Sequence, residues 1–465
     1  MTGTASEQSA GWRELLGPRH LGASTVLAGG VALYATNEFL TNSLLPSAVQ
    51  EIGGERFYAW VTTVYLVASV VAATTVGALV ARLGPRLAYL WAFAVFCVGT
   101  TICALAPSME VLLIGRVVQG AAGGALAGLG YAVINSTLPQ SLWPKASALV
   151  SAMWGVGTLL GPAAGGLFAQ IGLWRWAFGA LAIMTVAIAV LVPFSLPGKS
   201  AATDDVPTRI PLWSLVILGA AALAISTAGI QRGTVPMVTL LVTGVLLVGL
   251  FLVVDRRLSV GVLPHTAFRT GAFRWNYATL GLLMAVTMAN MYVPLFGQDL
   301  AHLAPFAAGF LGVALSVGWT VGEVASASVS SRMWVVRIVA MAPLVTAVGW
   351  AVAAATQVHD AGLEHVLVWS VALLVAGAGV GMAWPHLSAW AMGHVDDPKE
   401  GAVAAAAIST VQLICGAFGA GLAGVVVNVV GRTDATAARW LFAIFALIAG
   451  LTAMASYRAS RGAGS

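Results

Sequence analysis

The sequence predicts an all-α integral membrane protein with fourteen transmembrane helices. Of its 465 residues, 59% are hydrophobic and only 8% are charged, a balance that a water-exposed surface does not accommodate. Apolar segments of the ~20 residues that cross a hydrocarbon core recur along the chain, with short polar breaks between them. These segments fall into groups of six, two and six, which indicates two similar halves joined by a linker.

The predicted spans follow directly from the apolar segments. The first group lies near residues 22–49, 58–81, 87–106, 111–134, 146–171 and 175–196. Two further spans lie near 211–230 and 236–254, and the last group lies near 275–297, 305–328, 336–356, 366–392, 401–428 and 437–457. We therefore expect an N-terminal segment at 1–21, a six-helix half at 22–196, a linker with two added helices at 197–274, a second six-helix half at 275–457 and a tail at 458–465.

The distribution of Lys and Arg predicts the orientation. Sixteen basic residues lie on the side that carries both chain ends and five on the other side, and basic residues near span ends stay in the cytoplasm. Both termini are therefore expected to be cytoplasmic. Few lysines and many alanines, valines and arginines are typical of a GC-rich bacterium, so we expect the inner (cell) membrane of a bacterium. The net charge of +5 is then a topology signal, and no nucleic-acid partner is expected. We expect no cleavable signal peptide, because the first twenty residues are polar and the first apolar block is too long for a signal-peptide core.

Several classes of chemistry lack their usual residues. Cys97, Cys103 and Cys415 all fall inside apolar spans, which argues against disulfides. The seven histidines have no metal-binding spacing, and no Gly-Lys-Ser/Thr loop for an ATP motor is present. An enzyme is also less expected, because the sequence shows no pairing of a nucleophilic side chain with a general base. The sequence thus predicts no metal and no cofactor, and any uphill transport must be driven by an ion gradient.

Glycines recur at intervals that allow helices to pack closely. Gly120, Gly124 and Gly128 repeat every four residues in the fourth span, as Gly157, Gly161 and Gly165 do in the fifth. Pro162 removes a backbone hydrogen bond and predicts a bend. The fifth span of the second group carries a comparable stretch, "CGAFGAGLAG", so the two groups are predicted to be parallel repeats with a cleft between them.

Three motifs resemble one known family. "GVGTLLGPAAGG" matches the Gly-x-x-x-Gly-Pro-x-x-Gly-Gly antiporter motif of major facilitator superfamily exporters through Gly157, Gly161, Pro162, Gly165 and Gly166. "LIGRVVQGAAGGAL" resembles the fourth-span motif through Arg116, Gln119 and Gly120, and "GALVARLGPRL" resembles the loop motif through Gly77, Arg82, Gly84 and Arg86. The whole chain resembles the fourteen-span drug:proton antiporter branch. The resemblance implies a major facilitator fold and proton-coupled export of drug-like compounds.

The chain also departs from that branch. The loop motif has Ala81 where an aspartate is usual and Pro85 where a basic residue is usual, which implies a weakened charge-paired contact there. In the first span the branch has an aspartate nine residues before a proline. Here the proline is Pro46, that position is Asn37, and the acid is the next residue, Glu38. Because one residue turns about 100° around a helix, Glu38 faces a different direction.

Glu38 is the predicted proton-coupling residue. An ionised carboxylate in mid-membrane costs ~2.5 to 3.5 kcal/mol, so we expect it to face the protein interior, a water-filled cavity or a basic partner. Arg116 is the basic residue deep in a span of the first group, and the resemblance places spans one and four side by side. A Glu38–Arg116 interaction is therefore expected, with a static ion pair as the open alternative. For Glu323 in the tenth span, proton coupling and simple solvation both remain open.

Polar and aromatic residues within the spans are the candidate lining of a substrate cavity, since apolar pockets with a few polar groups suit lipophilic ligands. They are Asn37, Asn42, Tyr65, Tyr131, Trp154, Asn290, Tyr292, Trp384, His386 and Gln412. His386 is either a titrating group or a structural histidine.

The resulting hypothesis is a monomeric, proton-coupled secondary transporter that exports hydrophobic or amphipathic small molecules by alternating access. A transporter of a lipid or an endogenous metabolite, and a membrane sensor or scaffold that transports nothing, are the alternatives.

Overall fold

The structure is a computed structural model, and every secondary-structure element that it describes is helical. It describes residues 12–139, 142–198, 211–231, 233–258, 261–263, 272–329, 331–393, 398–430 and 435–462. Of the basic residues that predict the orientation, Lys199, Arg209, Arg232, Arg269 and Arg432 lie outside these ranges.

The first group of helices corresponds to the six predicted spans. Helix α1 is Leu21–Ile52, and the long helix Tyr58–Ala104 consists of two arms, α2 (58–83) and α3 (85–104). Helices α4 (Met109–Ala132), α5 (Trp143–Gln170) and α6 (Trp174–Ser195) complete the group.

The two linker helices are α7 (Leu212–Ala228) and α8 (Thr234–Arg257). The second group begins with α9 (272–301), which is built from Ala272–Thr287, Met288–Tyr292 and Val293–Ala301. It continues with α10 (Pro305–Ala327), α11 (Arg332–Ala355), α12 (Leu363–Gly393), α13 (Pro398–Val430) and α14 (Ala435–Gly462). Each predicted span therefore coincides with a helix.

Length and composition support this assignment. Eleven helical segments within the described ranges are long and apolar enough to cross a membrane. One of them, 55–104, contains both α2 and α3. Helix α1, which carries Glu38, and the shorter apolar helix α7 account for the remaining two predicted spans.

The α-helical backbone is interrupted at two places, one between α2 and α3 and one within α9. Gly84 has φ 74° and ψ 166°, a conformation that glycine adopts without steric cost, and this residue separates α2 from α3. In α9 the segment Met288–Tyr292 is a 3₁₀ helix in the middle of the span. A 3₁₀ segment within a helix often marks a hinge.

The glycine repeats are the contacts that bring helices together. A β-carbon on Gly157, Gly161 or Gly165 of α5 would collide with α1, and one on Gly120 or Gly124 of α4 would collide with α2. The second group repeats this arrangement. Gly419 of α13 faces the backbone of α9, as α5 faces α1, and Gly318 and Gly322 of α10 face the backbone of α12.

Helix α7 lies against both groups. The Trp60 indole nitrogen of α2 donates a hydrogen bond to the Ser226 carbonyl oxygen of α7 (3.0 Å), and the Ser226 hydroxyl group donates to Thr63 (3.2 Å). Gly229, at the end of α7, packs on Val425 of α13. The linker therefore covers one side of the interface between the two groups.

Candidate functional site

Glu38 lies inside the protein, near the middle of α1. Its side chain is buried, with 8% of its surface exposed, and Tyr34 and Thr41, one turn away on either side, are also buried. Helix α5 covers this stretch because Gly157 and Gly161 allow its backbone to approach α1. Within the described part of the chain, the Glu38 carboxyl group has no hydrogen-bond or ion-pair partner.

Arg116 of α4 is also buried, with 1% of its surface exposed. Its Nε donates a hydrogen bond to the Val61 carbonyl oxygen (3.1 Å), and its Nη1 donates to Thr41 Oγ1 (3.2 Å) and to Gln119 Oε1 (3.0 Å). The guanidinium carbon lies 3.9 Å from the centre of the Tyr65 ring. A buried cation is thus stabilised by neutral oxygens and an aromatic face.

The predicted interaction between Glu38 and Arg116 does not take the form of an ion pair in this conformation. The two side chains lie in one buried cluster and sense each other's charge, but they form no ion pair. The donors of the Arg116 guanidinium group bind other oxygens instead of the Glu38 carboxylate. These oxygens belong to Thr41 of α1, Val61 of α2 and Gln119 of α4. Side-by-side packing of spans one and four, which motivated the prediction, is confirmed by the Arg116–Thr41 hydrogen bond.

Two further polar side chains beside Glu38 lack partners. Both amide atoms of Asn37 and the hydroxyl group of Tyr34 are buried without a hydrogen-bond partner among the described residues. The Tyr65 hydroxyl group donates to the Tyr34 carbonyl oxygen (3.3 Å), and Trp154 of α5 meets the Tyr34 ring edge-on at 5.5 Å. Because buried polar groups are almost always paired, these atoms indicate a place for water or a ligand.

Several contacts between the two helix groups lie toward one face of the molecule. The face at which α1 begins and α14 ends is called here the terminal face, and these contacts lie at the opposite face. There the Tyr58 ring of α2 stacks on Tyr292 of α9 at 4.8 Å. The Asn428 amide of α13 donates to the Arg56 carbonyl oxygen (3.0 Å). These contacts close the space between the groups at the opposite face.

On the other side of the interface, α1 and α5 meet α10. A β-carbon on Gly309 of α10 would lie 3.1 Å from Ser43 Cβ and 3.5 Å from Pro162 Cβ. A β-carbon on Gly166 of α5 would lie 2.7 Å from the Cα of Phe306. Pro162, Gly166 and Gly309 thus sit directly at this contact.

The same face of α5 is open nearer the terminal face. Gly155 lies within about 20° of Pro162 and of Gly166 around the helix, by the 100° turn per residue. A β-carbon on Gly155 would nevertheless have no atom of the described residues within 4 Å. The helices therefore diverge at this position, which leaves space between the two groups toward the terminal face.

The polar residues of the second group lie in two places. On the 3₁₀ segment of α9, the Asn290 amide donates to the Gly312 carbonyl oxygen (3.1 Å), and its own oxygen is buried without a partner in the described part of the chain. Nearer the terminal face, Trp319 donates from its indole nitrogen to Glu323 (3.0 Å) and packs on Trp384 at 5.0 Å. His386 is bound to the Ser326 hydroxyl group at 2.7 Å.

The remaining cavity candidates are more scattered. Tyr292 is part of the contact at the opposite face, and the Asn42 amide oxygen accepts a hydrogen bond from Thr62 (3.3 Å). Tyr131 is 44% exposed near the terminal-face end of α4, and Gln412 of α13 is partly buried. The structure therefore gathers Asn37, Glu38, Tyr65, Arg116 and Trp154 in one cluster and places Glu323, Trp384 and His386 in another.

The loop motif surrounds the break between α2 and α3. Gly77 and Arg82 are exposed near the end of α2, Gly84 is buried at the break, and Arg86 is partly buried at the start of α3. Gly84 allows the chain to break between the two helices, because glycine adopts its positive φ without strain.

Sequence reasoning missed Tyr34, Thr41 and Trp319 as members of these clusters. Each has a recognisable signal, since Tyr34 and Trp319 are four residues before Glu38 and Glu323 and so share their helix faces. Thr41 follows Glu38 by three residues. As for metals, the described residues contain no group of three or more His, Cys, Asp or Glu side chains that could hold an ion.

Comparison with known proteins identifies the family. Residues 27–420 match the family model described as "Major Facilitator Superfamily". A protein from Mycobacterium tuberculosis named as a probable multidrug-efflux transporter is 56% identical over 99% of this chain and 98% of its own length. Multidrug resistance protein 3 of Bacillus subtilis is 22% identical over 79% of this chain and 72% of its own length.

Solved structures support the same fold at low sequence identity. An auto-inhibited peptide transporter of the POT family is similar with a TM-score of 0.66 and 16% identity, covering 94% of this chain and 96% of its own. A bacterial homologue of the human lysosomal transporter Spinster, solved in an inward-facing and unoccupied conformation, is similar with a TM-score of 0.64 and 13% identity, covering 96% and 98%. By its family match, its relatives and its fold, this chain belongs to the major facilitator superfamily.

Proposed function

We propose that the protein is a proton-coupled exporter of hydrophobic or amphipathic small molecules, acting as a monomer in a bacterial inner membrane. Membership of the superfamily and the 56% identity to a named probable multidrug-efflux transporter support transport of drug-like compounds. The single observation that carries proton coupling is the buried Glu38 carboxyl group, which has no hydrogen-bond or ion-pair partner among the described residues, beside a buried Arg116 that pairs with no carboxylate among them.

Proton occupancy of Glu38 changes the stability of this arrangement. A bare charge buried without hydrogen bonds is costly, whereas a protonated carboxyl group is far less so. A proton on Glu38 therefore stabilises the observed conformation. When the proton leaves, the charge is stabilised by water in the cleft or by movement of Arg116 toward Glu38. The conformational equilibrium then depends on the proton, which is the coupling that a secondary transporter requires.

The substrate site of this proposal is the cleft between the groups. Asn37 and Tyr34 offer polar atoms that have no hydrogen-bond partner in the described part of the chain, and Tyr65 and Trp154 provide aromatic surface nearby. Asn290 and Gln412 of the second group are further candidates. With both termini in the cytoplasm, as the basic residues predict, the open cleft faces the cytoplasm, where an exported compound is loaded.

Reconstitution into liposomes tests the proposal. The purified protein is exposed to an imposed pH gradient, and compounds are screened for proton flux with an internal pH dye. We expect compound-induced flux with the parent protein and none with Glu38→Gln, because the amide cannot carry the proton. The matched control is Glu364→Gln, since the Glu364 side chain is 75% exposed at the opposite face.

Two outcomes would contradict the proposal. If Glu38→Gln supports the same flux as the parent, the coupling role of Glu38 is wrong. If no compound moves protons although the protein is folded, transport of another compound class or a sensor role replaces export of drug-like molecules.

A further inference from the structure

Glu323 faces the cleft between the two helix groups. By the 100° turn per residue it lies within about 20° of Gly312 and about 40° of Gly309 around α10. Gly312 faces Asn290 of α9, and Gly309 faces Ser43 of α1 and Pro162 of α5, so this side of α10 points to the centre of the molecule. Glu323 is about 16 Å along the helix from Gly312, toward the terminal face, where the cleft is open.

The carboxyl group of Glu323 is bound to one indole ring, and that ring packs on a second. Trp319 Nε1 donates a hydrogen bond to Glu323 Oε2 (3.0 Å), and the Trp319 and Trp384 rings are 5.0 Å apart with an angle of 51° between their planes. All three side chains are partly buried. They therefore keep surface that a molecule in the cleft is able to contact.

Within the described ranges, Glu323 has no cationic partner. The charge interactions of its carboxyl group include no Lys, Arg or His. His386, which lies two residues after Trp384, is bound to the Ser326 hydroxyl group at 2.7 Å instead. Ser326 also donates to the Met382 carbonyl oxygen (2.7 Å), so this pair belongs to the packing of α10 on α12. A half-buried carboxylate with one hydrogen bond and no counter-ion favours a cation from outside the chain.

The aromatic pair selects the kind of cation. Tryptophan is the side chain whose ring face attracts cations most strongly, and a desolvated ring does so more than an exposed one. A small metal ion would need several oxygen ligands, and among the described residues of this cluster Glu323 alone carries a carboxylate. An organic cation with an aromatic or aliphatic body instead uses the carboxylate and both rings together.

We propose that Glu323, Trp319 and Trp384 form a binding site for lipophilic organic cations in the vestibule of the cleft. The inference deepens the proposed function, on which it rests for the statement that the ligand is a transported compound. The site lies on the second helix group, apart from Glu38 and Arg116 on the first. A cation bound here neutralises Glu323 without using the carboxyl group proposed to carry the proton.

Equilibrium binding to the purified full chain tests this site without a proton gradient. Ethidium, a flat organic cation, is followed by fluorescence anisotropy, and N-phenyl-1-naphthylamine serves as an uncharged aromatic probe. We expect Glu323→Gln to weaken ethidium binding roughly tenfold, the effect of losing one favourable charge contact, and to leave the neutral probe within about twofold of the parent. Glu364→Gln is the matched control, because it removes an exposed carboxylate at the opposite face.

The tryptophans separate a ring effect from a packing effect. We expect Trp384→Leu to weaken ethidium binding by a similar factor and Trp384→Phe to restore most of it, because phenylalanine keeps an aromatic face. Unchanged ethidium binding in Glu323→Gln would overturn the proposal, and so would an equal loss for both probes. If Glu38→Gln abolishes proton flux while Glu323→Gln binds ethidium normally, only this inference fails. If the flux experiment fails while charge-selective binding is lost in Glu323→Gln, the binding site stands without proton-coupled export.

Discussion

At the scale of single residues, the arrangement around Arg116 explains why Glu38 stays apart from it. The guanidinium group donates to oxygens on three spans and covers the Tyr65 ring, so its charge is satisfied without a carboxylate. Binding these oxygens together requires the planar guanidinium group with its several fixed donors, and the ammonium group of lysine has no such arrangement.

We therefore expect Arg116→Lys to be less stable than the parent by about 1.5 to 3 kcal/mol, the usual contribution of a hydrogen bond to a charged group. Transport should fall at least roughly tenfold, because an ammonium group cannot bind Val61, Thr41 and Gln119 together. Thermal unfolding in detergent and liposome flux measure the two effects. Arg337→Lys is the control, since Arg337 is exposed and lies over Trp334 at 5.2 Å.

A milder change keeps this prediction testable if the lysine variant does not fold. Thr41→Val preserves shape but removes one acceptor of Arg116. We expect a smaller loss of stability and a partial loss of flux. Parent-like flux in both variants would show that the guanidinium network has no part in coupling.

The residues of this cluster were only partly predictable from the sequence. A carboxylate and a guanidinium group inside apolar spans are visible at once, and both are buried as expected. Their separation depends on Val61 and Thr41, which are ordinary residues whose role arises only when α2 and α1 pack against α4. Hydropathy contains no information on that packing.

At the scale of helices, the spans themselves were predictable because apolar length alone determines them in a bilayer. A break between the spans 58–81 and 87–106 was also predictable, but its confinement to the single residue Gly84 was not, and neither was the 3₁₀ segment of α9. The first depends on a positive φ that glycine permits, and the second lies in "MANMY", a stretch with no helix-breaking residue of its own. The contact of α7 with both groups was also outside what a span pattern shows.

Helix α5 allows a sharp test of glycine packing, because it carries both a tight and an open glycine. A β-carbon on Gly165 would overlap the Leu40 carbonyl oxygen of α1, whereas one on Gly155 would have no atom of the described residues within 4 Å. We expect Gly165→Ala to lower stability by about 1 to 3 kcal/mol, the usual cost of overpacking, and to slow transport. Gly155→Ala should stay within about 1 kcal/mol of the parent or be slightly more stable, since alanine favours helix.

Unfolding in increasing concentrations of denaturing detergent measures both variants, alongside liposome flux. The comparison holds helix, residue type and substitution constant and changes only the distance to the neighbouring helix. Equal effects of Gly155→Ala and Gly165→Ala would show that the antiporter motif does not act through close packing on α1.

At the scale of the whole molecule, the two sides of the interface between the helix groups are unequal. On one side α7 bridges α2 and α13, with Trp60 and Gly229 among the contacts. On the other side α1 and α5 meet α10 directly at Ser43, Pro162 and Gly309. Any opening at the opposite face must break the direct contact, and it must also break or carry along the contacts of α7.

The direct contact is close enough to be cross-linked. A β-carbon on Gly309 would lie 3.1 Å from Ser43 Cβ, a few tenths of an ångström below the roughly 3.5 to 4.5 Å of a disulfide. We expect the double variant Ser43→Cys/Gly309→Cys to form a disulfide on oxidation and to lose transport, because alternating access requires α1 and α10 to separate. Reduction should restore the flux.

Binding distinguishes a locked transporter from a damaged one. The cleft opens toward the terminal face, so the oxidised double variant should still bind ethidium with an affinity near that of the reduced protein. Each single cysteine variant under the same oxidation controls for Cys97, Cys103 and Cys415 and should transport in both redox states. Full transport by the cross-linked protein would mean that the Ser43–Gly309 contact persists throughout the cycle, and the opposite face would then have to open elsewhere, at Tyr58 and Tyr292 beside α7.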